Sequence, residues 1–214
     1  MSWFGTAGGT CALRLAVAAG VAIAAAGSRP AQASIIKFAQ IEELARSSSM
    51  VVRARITDES VHWTEDRQGI YTLVEAVVLG DVAAHPGREV PAGRRLTIVQ
   101  AGGEIDGVSL DWVGRPTFEV GEDLVLFLQP YDPKDRSDQR LLVVGGKQGR
   151  MRVVEGPGGE PAGVERNLMG VRGAPALSGD LPEGPAPRKD LVPYDELRRR
   201  VRGTPAAGPA GSGR

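Results

Sequence analysis

The sequence predicts an all-β domain, folded as an antiparallel sandwich or a small barrel, with one or two short helices. Six or seven short apolar runs follow one another at regular spacing between residues 50 and 155. The segments between these runs are rich in glycine, proline and charged residues, as turns are. Long helical patterns do not alternate with the runs, which argues against a parallel α/β fold.

A short helix is predicted ahead of the strands, in the segment SIIKFAQIEELARSS. Ser34 is placed to cap this helix at its N-terminus. Phe38, Ile41, Leu44 and Ala45 recur at helical spacing, with charged residues on the other side, so one face of the helix is expected to pack on the domain.

The strand-like runs that follow are MVVRARI, GIYTLVEAVVLG, RRLTIVQA, GVSLDWV, EDLVLFLQP, RLLVVGG and GRMRVVE. The first alternates apolar residues with arginine, as in a strand with one buried face. GIYTLVEAVVLG is apolar on both faces, which is typical of a strand covered on both sides. EDLVLFLQP is the most apolar run, and the glycines between the last two predict a bulge or a tight turn.

The first 33 residues have the pattern of a secretory signal peptide. Arg14 precedes an apolar run at residues 15–26, and Ala-Gln-Ala at 31–33 matches a small-x-small cleavage site. The run is too short for a comfortable membrane span. We therefore expect cleavage after Ala33 and an exported product, periplasmic or extracellular, with no transmembrane segment.

The rest of the chain is predicted to divide into a β domain at residues 34–154, a Pro/Gly-rich linker at 155–189, an amphipathic helix at 190–203 and a disordered tail at 204–214. Tyr194, Leu197 and Val201 form a narrow apolar stripe on the helix. Two interpretations of this stripe remain open. The helix either docks on its own domain or binds a partner or a surface.

Composition excludes several classes of function. Cys11 is the only cysteine and lies in the predicted signal peptide, so an exported product has neither a thiol nucleophile nor a cysteine zinc site. The first 33 residues contain two arginines and no acidic residue, which leaves 24 basic and 26 acidic residues and a net charge of −2. A nucleic-acid-binding protein would show a basic face instead.

One stretch of the domain resembles a known pattern: ELARSSSMVVRARI, YTLVEAVVLGD, RLTIVQAGGEIDGV, GRPTFEVGEDLVLFLQP and LLVVGGKQGRMRVV, in that order. It resembles a set of uncharacterised exported bacterial proteins. More distantly, residues 40–154 are similar to netrin-like and tissue-inhibitor-of-metalloproteinase-like domains, which are OB-type barrels. That resemblance implies an OB-like barrel of five to seven strands. The family's cysteines are missing, so inhibition through an N-terminal cysteine is not expected.

The motif GGEIDG at residues 102–107 permits two interpretations. Glu104, Asp106 and Asp111 supply carboxylates at closely spaced positions, as in a calcium site. The alternative is a glycine-rich hairpin turn with solvated carboxylates, because glycine allows positive φ. No cofactor is otherwise expected, and calcium is the only candidate.

Two further groups of residues are candidate sites. Lys147, Gln148 and Arg150 in the segment VGGKQGRMRV are expected to form a polar contact patch for a partner. His62 has Glu65 close by in the sequence, which suggests a hydrolase centred on His62, whereas His85 lies in a Pro/Gly-rich loop.

The leading hypothesis is an exported, non-enzymatic binding module that acts on a protein or on a partner in the cell envelope. The first alternative is a calcium-assisted adhesive or structural domain that uses the GGEIDG carboxylates. The second alternative is an unrecognised hydrolase centred on His62. Nucleic acid is not expected as a partner.

Overall fold

The structure, a computed structural model, describes residues 36–82, 90–135, 137–168, 171–172 and 189–204 of the 214-residue chain. The helices are α1 (Ile41–Ser47) and α2 (Tyr194–Arg202). The strands are β1 (Ile36–Lys37), β2 (Met50–Trp63), β3 (Ile70–Asp81), β4 (Arg95–Ala101), β5 (Gly103–Ile105), β6 (Val108–Leu110), β7 (Asp123–Pro130), β8 (Leu141–Val143), β9 (Arg150–Glu155), β10 (Pro161–Asn167), β11 (Val171–Arg172) and β12 (Lys189–Pro193). The predicted signal peptide and the tail from residue 205 onward lie outside the described residues.

Five strands close into a small barrel, which confirms the all-β prediction. The order of the large sheet is β12-β10-β9-β7-β2-β3-β4-β8, and β8 also pairs with β7. The barrel is therefore the ring β2-β3-β4-β8-β7. Strands β9, β10 and β12 continue the sheet outward from β7. None of the helices in the described ranges is long and apolar enough to cross a membrane.

The barrel is mixed rather than purely antiparallel as predicted. Four of its five neighbouring pairs are antiparallel, and β4 pairs with β8 in parallel. A ring with an odd number of strands cannot alternate in direction all the way round, so one parallel pair is unavoidable. This pair consists of a single bridge, Ile98 to Leu141.

The barrel interior is filled by alternate residues of its strands, because successive side chains of a strand point to opposite faces. The buried interior side chains include Val52, Ala54, Ile56, Val74, Ala76, Val78, Leu96, Ile98, Leu124, Leu126 and Leu128. A second core lies outside the barrel, where both helices cover β7, β9 and β10. Its buried residues include Ile41, Leu44, Val51, Val125, Phe127, Met151, Val153, Val164, Leu197 and Val201.

Strand β7 lies between the two cores, which explains why its sequence is apolar on both faces. The sequence also predicts that β3 is covered on both faces, and this prediction is wrong. The alternate residues of β3 that face the barrel are buried, but Tyr71, Leu73 and Val77 on its outer face are only half-buried. The outer surface of β3 is therefore a half-exposed apolar face.

Helix α1 begins at Ile41, later than the predicted start at Ser34, which itself lies outside the described residues. The segment before it is extended and includes β1. The side chain of Gln148 explains this difference. It donates to the carbonyl of Lys37 at 2.8 Å and accepts from the backbone N–H of Ala39 at 2.9 Å. Main-chain groups held in this way are not available to a helix.

The predicted linker at residues 155–189 contains strand β10, which pairs with β9 and β12. The pairing of β10 with β9 shifts register between Pro161 and Gly163, and residues 169–170 and 173–188 of the predicted linker lie outside the described residues. Of the two interpretations of the C-terminal helix, docking is the one observed, because Leu197 and Val201 of α2 are fully buried. Glu42 of α1 accepts two hydrogen bonds from Arg200 of α2, at 2.6 and 2.8 Å.

The contribution of the Glu42–Arg200 pair to stability is expected to disappear in acid. The hydrogen bonds from Arg200 lower the pKa of Glu42 from 4.5 to about 2. A lowered folded-state pKa stabilises the fold above the unfolded value, and this stabilisation is lost as the pH falls through the folded pKa. We expect Glu42→Gln to destabilise the protein near neutral pH, and the difference from the wild type to shrink between pH 4.5 and about 2.

Urea unfolding of both proteins at a series of pH values measures this difference. The control is Glu43→Gln at the exposed neighbouring position, which is expected to change the free energy of unfolding little. A Glu42→Gln difference that stays constant down to about pH 2 would contradict the assignment.

Candidate binding groove

The GGEIDG motif forms a hairpin turn, the second of its two interpretations. Strands β5 and β6 pair in register around Asp106 and Gly107. These two residues have φ values of +54° and +74°, the positive pair that a tight two-residue hairpin turn requires. The Asp106 carboxylate accepts a hydrogen bond from the indole N–H of Trp63 at 3.0 Å.

The three carboxylates proposed for calcium do not converge. Asp106 is engaged by Trp63, whereas Glu104 and Asp111 border a separate hollow of about 180 Å³ that also contains Arg115. The Nε of Arg115 lies 4.0 Å from the Asp111 carboxylate, so a cation already neighbours that oxygen. Across the described ranges, no group of three or more His, Cys, Asp or Glu side chains is arranged to hold a metal ion.

The predicted contact patch of Lys147, Gln148 and Arg150 is not a single exposed surface. Gln148 is buried and is bonded to the backbone of residues 37 and 39. The Arg150 guanidinium is largely buried against the carboxylate of Glu122. These contacts use the polar groups within the domain, which leaves Gln148 in particular unable to reach a partner.

His62 lies on the outer face of β2, beside β3. Its Nε2 lies 2.9 Å from the hydroxyl of Ser60, and its ring stacks on Tyr71 with centroids 5.4 Å apart. Among the described residues, no carboxylate is hydrogen-bonded to the other ring nitrogen. Glu65 is exposed at the following turn, and His85 lies outside the described residues. The pair of Ser60 and His62 therefore lacks the third group that orients a catalytic histidine.

A groove opens on the outside of the barrel where β4 and β8 separate. Two adjoining hollows, of about 430 and 530 Å³, share Val99, Ala101 and Leu142. We call the two together the β4 groove. It is lined by Val99, Ala101, Leu110, Trp112, Tyr131 and Leu142, with Tyr71 and Arg140 at one end.

The groove exists because β4 and β8 meet at only one bridge, Ile98 to Leu141. Beyond that bridge, β4 continues to Ala101 and stays paired with β3 on its other side. The β8-facing edge of residues 99–101 therefore has no paired strand within the part of the chain that the structure describes.

The walls of the groove expose large apolar side chains. Leu110, Trp112 and Tyr131 are each 44 % exposed, and Val113 beside them is 53 % exposed. Single exposed apolar residues are common on protein surfaces, but a contiguous set that lines a depression is characteristic of a binding surface.

A hydrogen bond and a ring contact hold Trp112 and Tyr131 in place. The indole N–H of Trp112 donates to the carbonyl of Ala101 at 3.1 Å. The Arg140 guanidinium lies over the ring of Tyr131, 4.8 Å from the ring centre. Arg140 is fixed in turn by hydrogen bonds of 2.8 to 3.1 Å to Asp138, which raise the pKa of Arg140. The groove is thus largely preformed.

Comparison with known proteins does not identify the chain: no protein family, no curated protein and no solved structure matches it.

One buried polar group beside the groove leads to a stability prediction. Gln100 of β4 is 5 % exposed, and neither its amide nitrogen nor its amide oxygen has a hydrogen-bond partner among the described residues. An unpartnered buried polar group costs about 1–3 kcal/mol, and an apolar replacement of similar shape removes that cost. We expect Gln100→Met to stabilise the protein by about 1 kcal/mol.

Thermal unfolding measures this effect as a rise of several degrees in Tm. The control is Gln68→Met at an exposed turn position, where little change is expected. A fall in Tm for Gln100→Met would contradict the prediction and would indicate that the Gln100 amide holds a partner such as a buried water.

Proposed function

We propose that the protein is an exported, non-enzymatic binding module that holds its partner in the β4 groove. The observation that carries this proposal is the preformed groove with Leu110, Trp112 and Tyr131 exposed along its walls. Aromatic side chains that remain exposed around a concave site are typical of binding surfaces. Export, to the periplasm or the exterior, is inferred from the signal-peptide pattern of residues 1–33.

The barrel topology supports the same proposal. Around the ring, the strands run in the order first, second, third, fifth and fourth. We infer that the barrel is of OB type, distantly related to the netrin-like domains. OB barrels bind ligands on the face of their second and third strands, between the loops that follow the first and fourth strands. The corresponding elements are β3, β4 and the loops at 64–69 and 131–140, and the β4 groove lies among them.

The experiment is a screen of ligand classes against the purified protein. Pools of peptides, soluble glycans and lipid vesicles are tested by thermal shift, because a ligand of the folded state raises Tm. Dissociation constants are then measured for each binder. We expect one class to bind, and Trp112→Ala to weaken that binding about 30-fold, as for a central aromatic residue of an interface.

Val120→Ala is the matched control, because Val120 is an exposed apolar residue, 65 % exposed, that does not line the groove. It is expected to leave the dissociation constant unchanged. If no class binds, or if Trp112→Ala binds as tightly as the wild type, the proposal is wrong.

A hydrolase centred on His62 is the second candidate, and the 2.9 Å contact between His62 and Ser60 favours it. A histidine in this position can accept a proton from the serine hydroxyl. Turnover of activated esters by the wild type, and its loss in both His62→Ala and Ser60→Ala, would support this reading. Equal rates in all three proteins would exclude it.

A further inference from the structure

We propose that the β4 groove receives an extended, basic and partly apolar peptide segment of a partner protein. This inference rests on the proposed function, because it names the chemistry of the ligand for the same groove. Three features of the described residues carry it: a strand edge that is partly free, apolar side chains that line the hollows around that edge, and the net negative charge of the surrounding loops.

The floor of the groove is a strand edge. Residues 99–101 of β4 pair with β3 on one side and with no strand on the other, within the described ranges. On this edge the carbonyl of Ala101 accepts from the Trp112 indole, and the N–H of Val99 belongs to the bridge with Leu141. The carbonyl of Val99 and the N–H of Ala101 are therefore the main-chain groups that face an added strand. An extended peptide complements this edge by adding a strand, a common mode of peptide recognition. A glycan or a lipid chain lacks main-chain donors and acceptors at this spacing.

The walls provide places for the side chains of such a peptide. Trp112 and Leu142 line one hollow, and Leu110, Tyr131 and Leu142 line the other. Alternate residues of an extended strand point to the same face, about 7 Å apart. A peptide with apolar residues at alternate positions can therefore bury them in the two adjoining hollows while its main chain follows β4.

The loops around the groove are acidic. The segments 64–69, 102–115 and 131–140 contain eight acidic residues and five basic residues, a net charge of −3. Residues from all three segments line the groove; the charged ones in its lining are Glu65 and Arg140, and Arg140 is paired with Asp138. A negative rim attracts a positively charged partner and repels phosphate groups. A neutral glycan would gain nothing from this charge, whereas lysine and arginine on the peptide would.

Some of the acidic side chains in these loops are already hydrogen-bonded within the protein, and others are free to contact a ligand. Asp138 is hydrogen-bonded to Arg140, and Asp106 to Trp63. Glu65, in contrast, is exposed and lines the groove directly. Glu65 is therefore the residue best placed to meet a basic side chain of the peptide, and it is the position to change in a test.

The test is a selection from a displayed library of random nine-residue peptides against the purified protein. Synthetic versions of the enriched peptides are then measured for affinity. We expect an excess of lysine and arginine, with apolar residues at alternate positions. Affinity should fall about 10-fold between low and high salt, since exposed charges are screened. Glu65→Lys should weaken binding by several fold, through repulsion at the rim.

Glu160→Lys is the matched control, because it makes the same charge change at an exposed position of the β9–β10 turn, outside the groove. It is expected to leave affinity nearly unchanged. Enrichment of acidic peptides, or equal effects of Glu65→Lys and Glu160→Lys, would overturn the inference.

The same measurements separate this inference from the proposed function. If only a glycan or a lipid binds, and Trp112→Ala abolishes that binding, the groove is the binding site but the peptide assignment is wrong. If no class of ligand depends on Trp112, both the inference and the proposed function are wrong.

Discussion

Leu197→Ala is expected to lower the free energy of unfolding by about 2–5 kcal/mol. Leu197 is fully buried on α2, in the same core as Ile41 and Leu44 of α1 and Phe127 of β7. Its truncation removes apolar contacts and leaves a cavity that the sheet beneath cannot fill. The loss would be of the same order as the whole stability of a typical domain. Urea unfolding followed by circular dichroism measures it.

The control for this prediction is Arg199→Ala on the exposed face of the same helix. Both changes preserve helix propensity, because alanine is the best helix former. Arg199→Ala is therefore expected to change the free energy of unfolding by less than about 0.5 kcal/mol. Equal, small effects of the two substitutions would show that α2 does not dock on the domain. Its apolar stripe would then be available to bind a partner or a surface.

Gly149→Ala is expected to cost about 3 kcal/mol or more, because no space exists for a methyl group. A Cβ at this position would lie 1.9 Å from the carbonyl oxygen of Val144 and 3.2 Å from the side chain of Val143. Gly149 ends the short 3₁₀ turn between β8 and β9, where Gln148 holds the backbone before α1. Relieving the clash would displace this turn and the hydrogen bond from Val144 to Phe127 of β7.

Gly158→Ala is the matched control, because a Cβ there meets nothing within 4 Å. It is expected to change stability by less than about 0.5 kcal/mol. Thermal unfolding of both variants provides the comparison. A Gly149→Ala protein that melts within a degree or two of the wild type would show that the turn is less tightly packed than described.

The sequence was sufficient to predict the elements whose signals are local. The apolar alternation of MVVRARI predicted β2, and the apolar run EDLVLFLQP predicted β7. The glycines of GGEIDG allowed a hairpin turn, and the stripe on α2 allowed docking. Each of these signals depends on residues a few positions apart, which is the range over which strand and helix periodicities operate.

The parallel β4–β8 pair and strand β10 cannot be predicted from such local signals. The β4–β8 bridge joins residues more than forty positions apart and follows from the closure of an odd ring. The segment of β10 looked like a linker because of its Pro161 and Gly163. Its pairing with β9 and β12 shows that tertiary context can override such local propensities.

The predicted site residues depend on sequence spacing in the same way. As a polar residue in a glycine-rich turn, Gln148 is predicted to contact a partner, but its side-chain amide is hydrogen-bonded to the backbone of Lys37 and Ala39. Sequence spacing places Glu104 and Asp111 with Asp106 as predicted calcium ligands. In the hairpin turn, however, the Asp106 carboxylate accepts a hydrogen bond from Trp63. Spacing alone does not determine which side of a turn a carboxylate occupies.

The β4 groove is not predicted from the sequence because its lining comes from segments that are far apart in the chain. Val99 lies on β4, Trp112 follows β6, and Tyr131 follows β7. One sequence signal is present: Tyr71 and Leu73 are apolar residues at outward positions of β3, and Tyr71 lines one end of the groove. The pattern predicts that both faces of β3 are buried, whereas the outer face is only half-buried.

The most direct test of this account is hydrogen exchange of the protein with and without a peptide selected from the library. We predict that slowed exchange concentrates at the amide of Ala101 in β4 and at the loops that carry Trp112 and Tyr131, because a strand added to that edge protects the amide that faces it. Protection confined to another edge, such as β12, or absent from Ala101, would contradict the claim that the β4 groove is the binding site.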